Sequence, residues 1–527
     1  MRQCATMYTA LSSVALLVSG ASAAAYEVRS EHMLDPIKNV AFINDTGKFW
    51  EAQKDNDGFF SVIGREGAVL EADLKGVVMH SRLAYGLSRA FMATGDEKHL
   101  QLASQALNFI YEHGHDEVYG GWHTQTDSRG NRIPTGSEDN EKWLLVQTYA
   151  LLGMVAMCEA TNDPAVHCET LDKSIQEYDQ LLWDTETKEG GYFEKNSRDF
   201  SRQFGKGIGG VLDVLNVWAM PRLLINHGAG EGAGGKEGNA AHQLTMQRYS
   251  NLSDLLMTKV VASMDSPSVK YGVASGFYTN WTIAESDTTT QVGHLYKIIW
   301  TLARMYALSP SSTEYLDAID KLWRENKMLG AFDEQVGSPH ALLDWRKGIT
   351  SRQKGYWQAE QSFMAGMTVL TLDRQMGEAE RDEYLEVIDK SLMFFYDRLV
   401  DPVHGDVFSQ LDETGKTVVK GDKGSIYKSC FHSMELAFYA YVYSMLFRND
   451  VSKRRVPLFY RLHNRDETKE ELLVVLTPIP IEKGRLVIES VDRDGEAYTD
   501  FDSNSRTVRV RRGEGGVFRV VFGIHDK

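Results

Sequence analysis

Cysteine is scarce in this chain, four residues in 527, and no CxxC or HxxxH spacing occurs. That excludes the common structural zinc modules, which need paired soft ligands close in sequence. Blocks of basic residues are also missing, and the formal charge is −16 with a pI near 5.5. A surface of that sign repels phosphate backbones and anionic membrane faces, so nucleic acid and membrane surfaces are excluded as partners. Beyond the N-terminus no apolar stretch reads as a membrane helix, which needs roughly 20 consecutive apolar residues. Strand-like alternation is rare until the last 70 or so residues.

The N-terminus has a short basic start at Arg2, an apolar segment and the small-residue run Ala21 to Ala25. This is the layout of a cleavable secretory signal, predicted over 1–24, and it implies an exported protein, periplasmic or secreted. Cys4 precedes the apolar segment, the wrong place for lipid modification after cleavage. In an oxidising compartment Cys158 and Cys168 are close enough in sequence for a disulfide across a short turn, two buried free thiols being the other reading. Cys430 has no such neighbour.

From about 38 to 447, apolar residues recur at three- and four-residue spacing in about twelve segments, which predicts a mainly helical body. The loops starting at Asp116 ("DEVYGGW"), Asp184 ("DTETKEGGYF") and Asp401 ("DPVHGDVF") repeat one theme, a glycine turn and an aromatic pair after a helix. Repeated helix, hairpin, helix units predict a ring of helical hairpins, an (α/α)6 barrel over 25–450, with its loops gathered at one mouth. After Val456, short runs such as "ELLVVLT" and "VFRVVFGI" predict a small antiparallel β domain over 456–527, either covering the barrel or helping to bind a ligand. A GxxxxGK match from Gly230 to Lys236 is followed by Glu237 and preceded by a helix rather than a strand, so it reads as linker and no nucleotide is expected.

Two histidines each open a helix of the inner type, His294 in "VGHLYKIIW" and His432 in "YKSCFHSMEL". With Arg82 in "KGVVMHSR" and Trp357 and Glu360 in "YWQAEQ", they form an ordered set. That set resembles the N-acylglucosamine 2-epimerase superfamily, which includes cellobiose 2-epimerases and mannose isomerases; the β tail falls outside the resemblance. The resemblance implies epimerisation or aldose-ketose isomerisation of a reducing sugar without metal or other cofactor. His294 and His432 would move the C2 proton, since imidazoles work near neutral pH. Arg82 would stabilise the enediolate oxygens. Trp357 would stack on the sugar, with Glu360, Trp122, Trp143 and Lys428 as further binding candidates.

Two positions depart from the family pattern. Lys297 stands where the family usually has Glu, and "GGVLDVLNVWAM" replaces a His-rich helix, leaving Asp213 and Asn216 as the polar groups. A cation at 297 favours an anionic sugar, so β-elimination on a uronate glycan, with Tyr296 or Tyr427 as acid, is the runner-up reading. A non-catalytic carbohydrate-binding protein is the third, and hydrolysis by Asp139 and Glu360 the least favoured. Oligomeric state is left open.

Overall fold

The computed structural model describes residues 26–163, 167–227, 240–465 and 469–525. The predicted signal segment, Cys4 and the glycine-rich run 228–239 lie outside the described residues.

The fold is mainly helical. The first half contains α1 (Glu31–Leu34), α2 (Ile37–Glu51), α3 (Val77–Thr94), α4 (Glu97–Phe109), α5 (Leu144–Ala150), α6 (Leu152–Thr161), α7 (Glu169–Leu182), α8 (Gly209–Val214) and α9 (Met220–Leu224). The second contains α10 (Ala240–Leu255), α11 (Val292–Leu308), α12 (Glu314–Leu329), α13 (Tyr356–Leu370), α14 (Glu378–Phe394) and α15 (Phe431–Leu446). Each of the predicted helical segments coincides with a helix or with two helices in tandem.

Two helix types differ in how much of their surface is apolar. In α7, Leu171, Ile175, Tyr178 and Leu182 bury one stripe and the rest is polar. In α11 nearly every residue from Val292 to Ala307 is buried. A helix apolar all round needs neighbours on every side, and α3, α11, α13 and α15 find them in one another and in α5, α6 and α8. Contacts run from α3 to α5 and α6, to α8, to α11, to α13, to α15 and back to α3. Outside them lie α2, α4, α7, α10, α12 and α14. One correction concerns membranes: 144–161 is long and apolar enough to cross one, but 89% of it is buried in this core. Cys158 and Cys168 are joined as a disulfide between α6 and the start of α7, with Cα atoms 5.0 Å apart.

The hairpins between outer and inner helices share a device that the glycine repeat only hinted at. At Asp116, Asp184, Asp333 and Asp401, Oδ1 accepts backbone N–H groups two and three residues on, at 2.9 to 3.4 Å, closing the turn. The same carboxyl then takes a buried ammonium from the segment leading into the next inner helix, two or three residues before it for Lys142, Lys206 and Lys354 and eight for Lys423. These pairs are Lys142 to Asp116 at 3.2 Å, Lys206 to Asp184 at 3.0 Å, Lys354 to Asp333 at 2.9 Å and Lys423 to Asp401 at 3.0 Å. Lys75 and Asp55 make a fifth. Ahead of α11 the lysine is replaced by Thr290, whose hydroxyl donates to the Val273 carbonyl.

Two four-stranded antiparallel sheets follow. In one, Arg455–His463 pairs with Gly515–Ile524, which pairs with Leu486–Arg493. In the other, Glu471–Val475 lies between Thr507–Arg511 and Asn226–His227, so the helical body lends a strand. Arg455–His463 buries Val456, Leu458, Tyr460 and Leu462 in strict alternation and packs on α3, α6 and α15. Its Phe459 covers Gly95, the left-handed cap that ends α3. The sheets therefore sit at the C-terminal end of α3, away from the helix starts where the chemistry-bearing residues gather.

Candidate active site

A cavity of about 290 Å³ opens among the first turns of the inner helices. Its wall includes His294, Trp357 and His432, with the Trp357 ring 5.4 Å from His294 and 6.1 Å from His432, centroid to centroid. The Gly-His pattern has a steric reason: a Cβ on Gly293 would lie 2.4 Å from the Trp357 ring. Glycine there lets the indole stand between the two imidazoles.

Both imidazoles are held neutral. Burial pushes His294 down to about 4, with the Lys297 charge adding and Asp213 opposing. Burial, then Arg82 and Lys297, hold His432 well below the ordinary value. Its Nδ1 is hydrogen-bonded to Glu360 Oε2 at 2.9 Å, which fixes the orientation of the ring at the cavity wall. Glu360 is fully buried behind the histidine, beside Glu435, and its carboxyl is raised by burial and then by that neighbour's charge. Tyr85 donates to Glu435 at 2.7 Å, and Gln361 both donates to Glu360 and accepts the Trp300 indole N–H at 2.7 Å.

Glu360, His432 and Glu435 also gather within 4.8 Å as metal-type ligands. Gln361 donates to Glu360 and Tyr85 to Glu435, so both carboxyls are already engaged by neutral protein donors, which fits a hydrogen-bonded network better than a cation site.

The two departures from the family pattern meet each other. Lys297 on α11 forms an ion pair with Asp213 on α8, and Tyr149 donates to the same Asp213 oxygen at 3.1 Å. Burial opposes the lysine's charge, yet Asp213 more than offsets it and keeps the ammonium above its ordinary value. The charge read as an attraction for anionic sugars is thus largely spent inside the protein. Arg82 is the cation left facing the cavity: Nη1 donates to the Tyr427 carbonyl at 2.8 Å, and the guanidinium lies 4.2 Å over the Tyr149 ring.

Some expected residues are elsewhere. Trp122 is folded back by the Gly120–Gly121 turn, locked by two hydrogen bonds to Gln147 and set edge-on to His115, off the cavity wall. Lys428 donates to the Val407 and Asp422 carbonyls and supports Tyr356 from behind. Glu360 lies behind His432 and off the cavity wall. Tyr296 packs against Trp323 on the outer side of α11, and Asn216 bonds Leu212 and Thr301. Trp143 is on the wall, its indole donating to Glu194 at 3.3 Å.

Tyr149, Tyr356, Gln361 and above all Glu194 were missed by sequence reasoning. Glu194 lines the cavity with one oxygen unpaired, and burial pushes its carboxyl up to about 7, Trp143 opposing and Asp213 adding. The signal was its position in the Asp184 hairpin, three residues after the turn in "GGYFE".

A family model described as N-acylglucosamine 2-epimerase (GlcNAc 2-epimerase) matches residues 58–207, a span holding Arg82, Trp143, Tyr149 and Glu194 but neither cavity histidine. A cellobiose 2-epimerase of Eubacterium cellulosolvens is 30% identical over 156 residues, 29% of this chain and 36% of that one. The chain spans only 27% to 36% of the length of the curated relatives it matches. A D-mannose isomerase structure superposes with a TM-score of 0.63 over 78% of this chain and 98% of its own, at 18% identity. The cellobiose 2-epimerase of Spirochaeta thermophila gives 0.62, with 18% identity and 78% and 97% coverage. At such identity the structural likeness is one of fold.

Proposed function

We propose, for a chain that resembles the N-acylglucosamine 2-epimerase superfamily in sequence and fold, that it is an exported carbohydrate epimerase or isomerase acting on a reducing sugar. In this reading the helical body is an (α/α)6 barrel, supported by the closed order of contacts among its inner helices. One observation carries the activity: two neutral imidazoles, an indole between them and a guanidinium share one cavity.

The opened sugar stacks on Trp357. His432 Nε2 or His294 takes the proton from C2, and Arg82 takes up the negative charge that develops on the enediolate oxygens. Return of a proton to C2 from the other imidazole gives the epimer; return to C1 gives the ketose. The β-elimination reading is weakened, because Asp213 compensates Lys297 and Tyr296 packs away from the cavity, which leaves Tyr427, beside Trp143, as its acid.

Proton NMR in heavy water with reducing disaccharides and mannose tests this. Deuterium entering at C2 together with a new epimer, or at C1 with a ketose, is the expected result; no exchange on any of these sugars overturns the reading.

Glu194 supplies a pH signature. Below about 7 its carboxyl is neutral and donates toward a sugar oxygen; above it, a carboxylate faces the developing enediolate. Turnover is therefore expected to fall as pH rises through about 7, and Glu194→Gln, neutral throughout, to flatten that limb. An unchanged alkaline limb in the variant would remove Glu194 from the mechanism.

A further inference from the structure

A second, smaller cavity of about 40 Å³ lies at the other end of the inner helices, where α3, α6, α11 and α15 meet the loop after strand Glu471–Val475. A water position needs about 10 to 15 Å³, so the space suits about three waters or one small ion, and no sugar or nucleotide fits.

Its wall is unusual in carrying two buried guanidiniums. Arg89 is 4% exposed and pairs with Glu159 at 2.7 Å. Arg304 is 6% exposed and rests on the faces of Trp300 and Tyr439, at 4.3 and 5.1 Å. Arg304 forms no ion pair among the described residues, and its Nε and Nη2 have no hydrogen-bond partner. The Nε of Arg89, the Asn162 side-chain oxygen and the Tyr460 hydroxyl are likewise unpaired around the same space. A guanidinium does not shed its proton in a protein, so burial cannot be relieved by neutralisation. The wall itself sets one carboxylate, Glu159, against two guanidiniums, with Glu435 acting on Arg304 only from outside the wall.

We propose that this seam cavity binds one small monovalent anion, a halide or a short carboxylate, against Arg304. Tyr460, and Asn162 with its amide turned to present N–H, are the neutral donors that complete the site. Because residues 475–480 belong to the β portion and Arg304 to the helical body, the anion ties the two together.

The test uses the full mature chain prepared without halide. Crystals soaked in bromide are expected to give an anomalous peak in contact with Arg304. The melting temperature is expected to rise with bromide by several degrees over sodium gluconate of equal ionic strength, an anion too large to enter. Arg304→Gln should abolish both effects. Glu159→Gln, which adds a positive charge to the wall, should tighten bromide several-fold, and this keeps the proposal open to refutation if Arg304→Gln does not fold. Acetate displacing bromide at lower concentration would identify a carboxylate as the preferred occupant; failure to displace it would identify a halide. Waters alone in the cavity, or bromide affinity unchanged by Glu159→Gln, would overturn the proposal.

Discussion

His432→Asn lowers turnover by about a thousandfold, within the 10²–10⁴-fold range expected when a positioned acid/base group is lost, while KM stays near the wild-type value. Asparagine is chosen because its amide can donate to or accept from Glu360 in place of Nδ1, so the buried carboxyl keeps a partner and the fold is not the thing being tested. What disappears is the imidazole at the cavity wall. Trp357 and Arg82 remain to hold the sugar, which is why the loss should appear in kcat. Steady-state kinetics on whichever sugar exchanges deuterium, together with a melting curve, separates the outcomes. A folded His432→Asn protein that turns over normally would end the proton-transfer reading.

The second large effect concerns stability. Lys206→Met is expected to destabilise the protein by about 3 to 5 kcal/mol, the usual cost of stranding one partner of a buried ion pair. Lys206 and Asp184 are both fully buried, 3.0 Å apart. The ammonium also holds the Gly191 carbonyl at 2.8 Å, across the glycine turn. Burial lowers the lysine and Asp184 opposes it, the balance standing at about 8. In the double variant Lys206→Met/Asp184→Asn no charge is left uncompensated, and most of the loss should be recovered. Denaturant midpoints of the four proteins give the coupling; a single-variant loss under about 1 kcal/mol would show that the pairs do not pin the hairpins.

The helices were legible because their apolar spacing differs so plainly between the two types, as α7 and α11 illustrate. His294, His432, Arg82, Trp357, Trp143, Asp213 and Lys297 could be singled out by residue type at helix starts, and all line the cavity. The misses have a common physical origin. Lys428 looks like a ligand-binding cation in the sequence, since nothing local reveals that the Val407 and Asp422 carbonyls take it. Trp122 follows two glycines with positive φ, and the direction in which such a turn sends its aromatic is set by Gln147, 25 residues away. Glu194 was hidden because its environment is made by Trp143 and Asp213, from two other elements.

The Lys297–Asp213 pair constrains how this chain relates to sequences with Glu at the first position and histidine near the second. Starting from the present residues, Lys297→Glu alone sets two carboxylates against each other in a buried site, and Asp213→His alone leaves an ammonium beside a second basic group. Each intermediate is worse than either end. The two positions are therefore expected to tolerate exchange together and not singly, which melting curves of the two single variants and the double variant would read out.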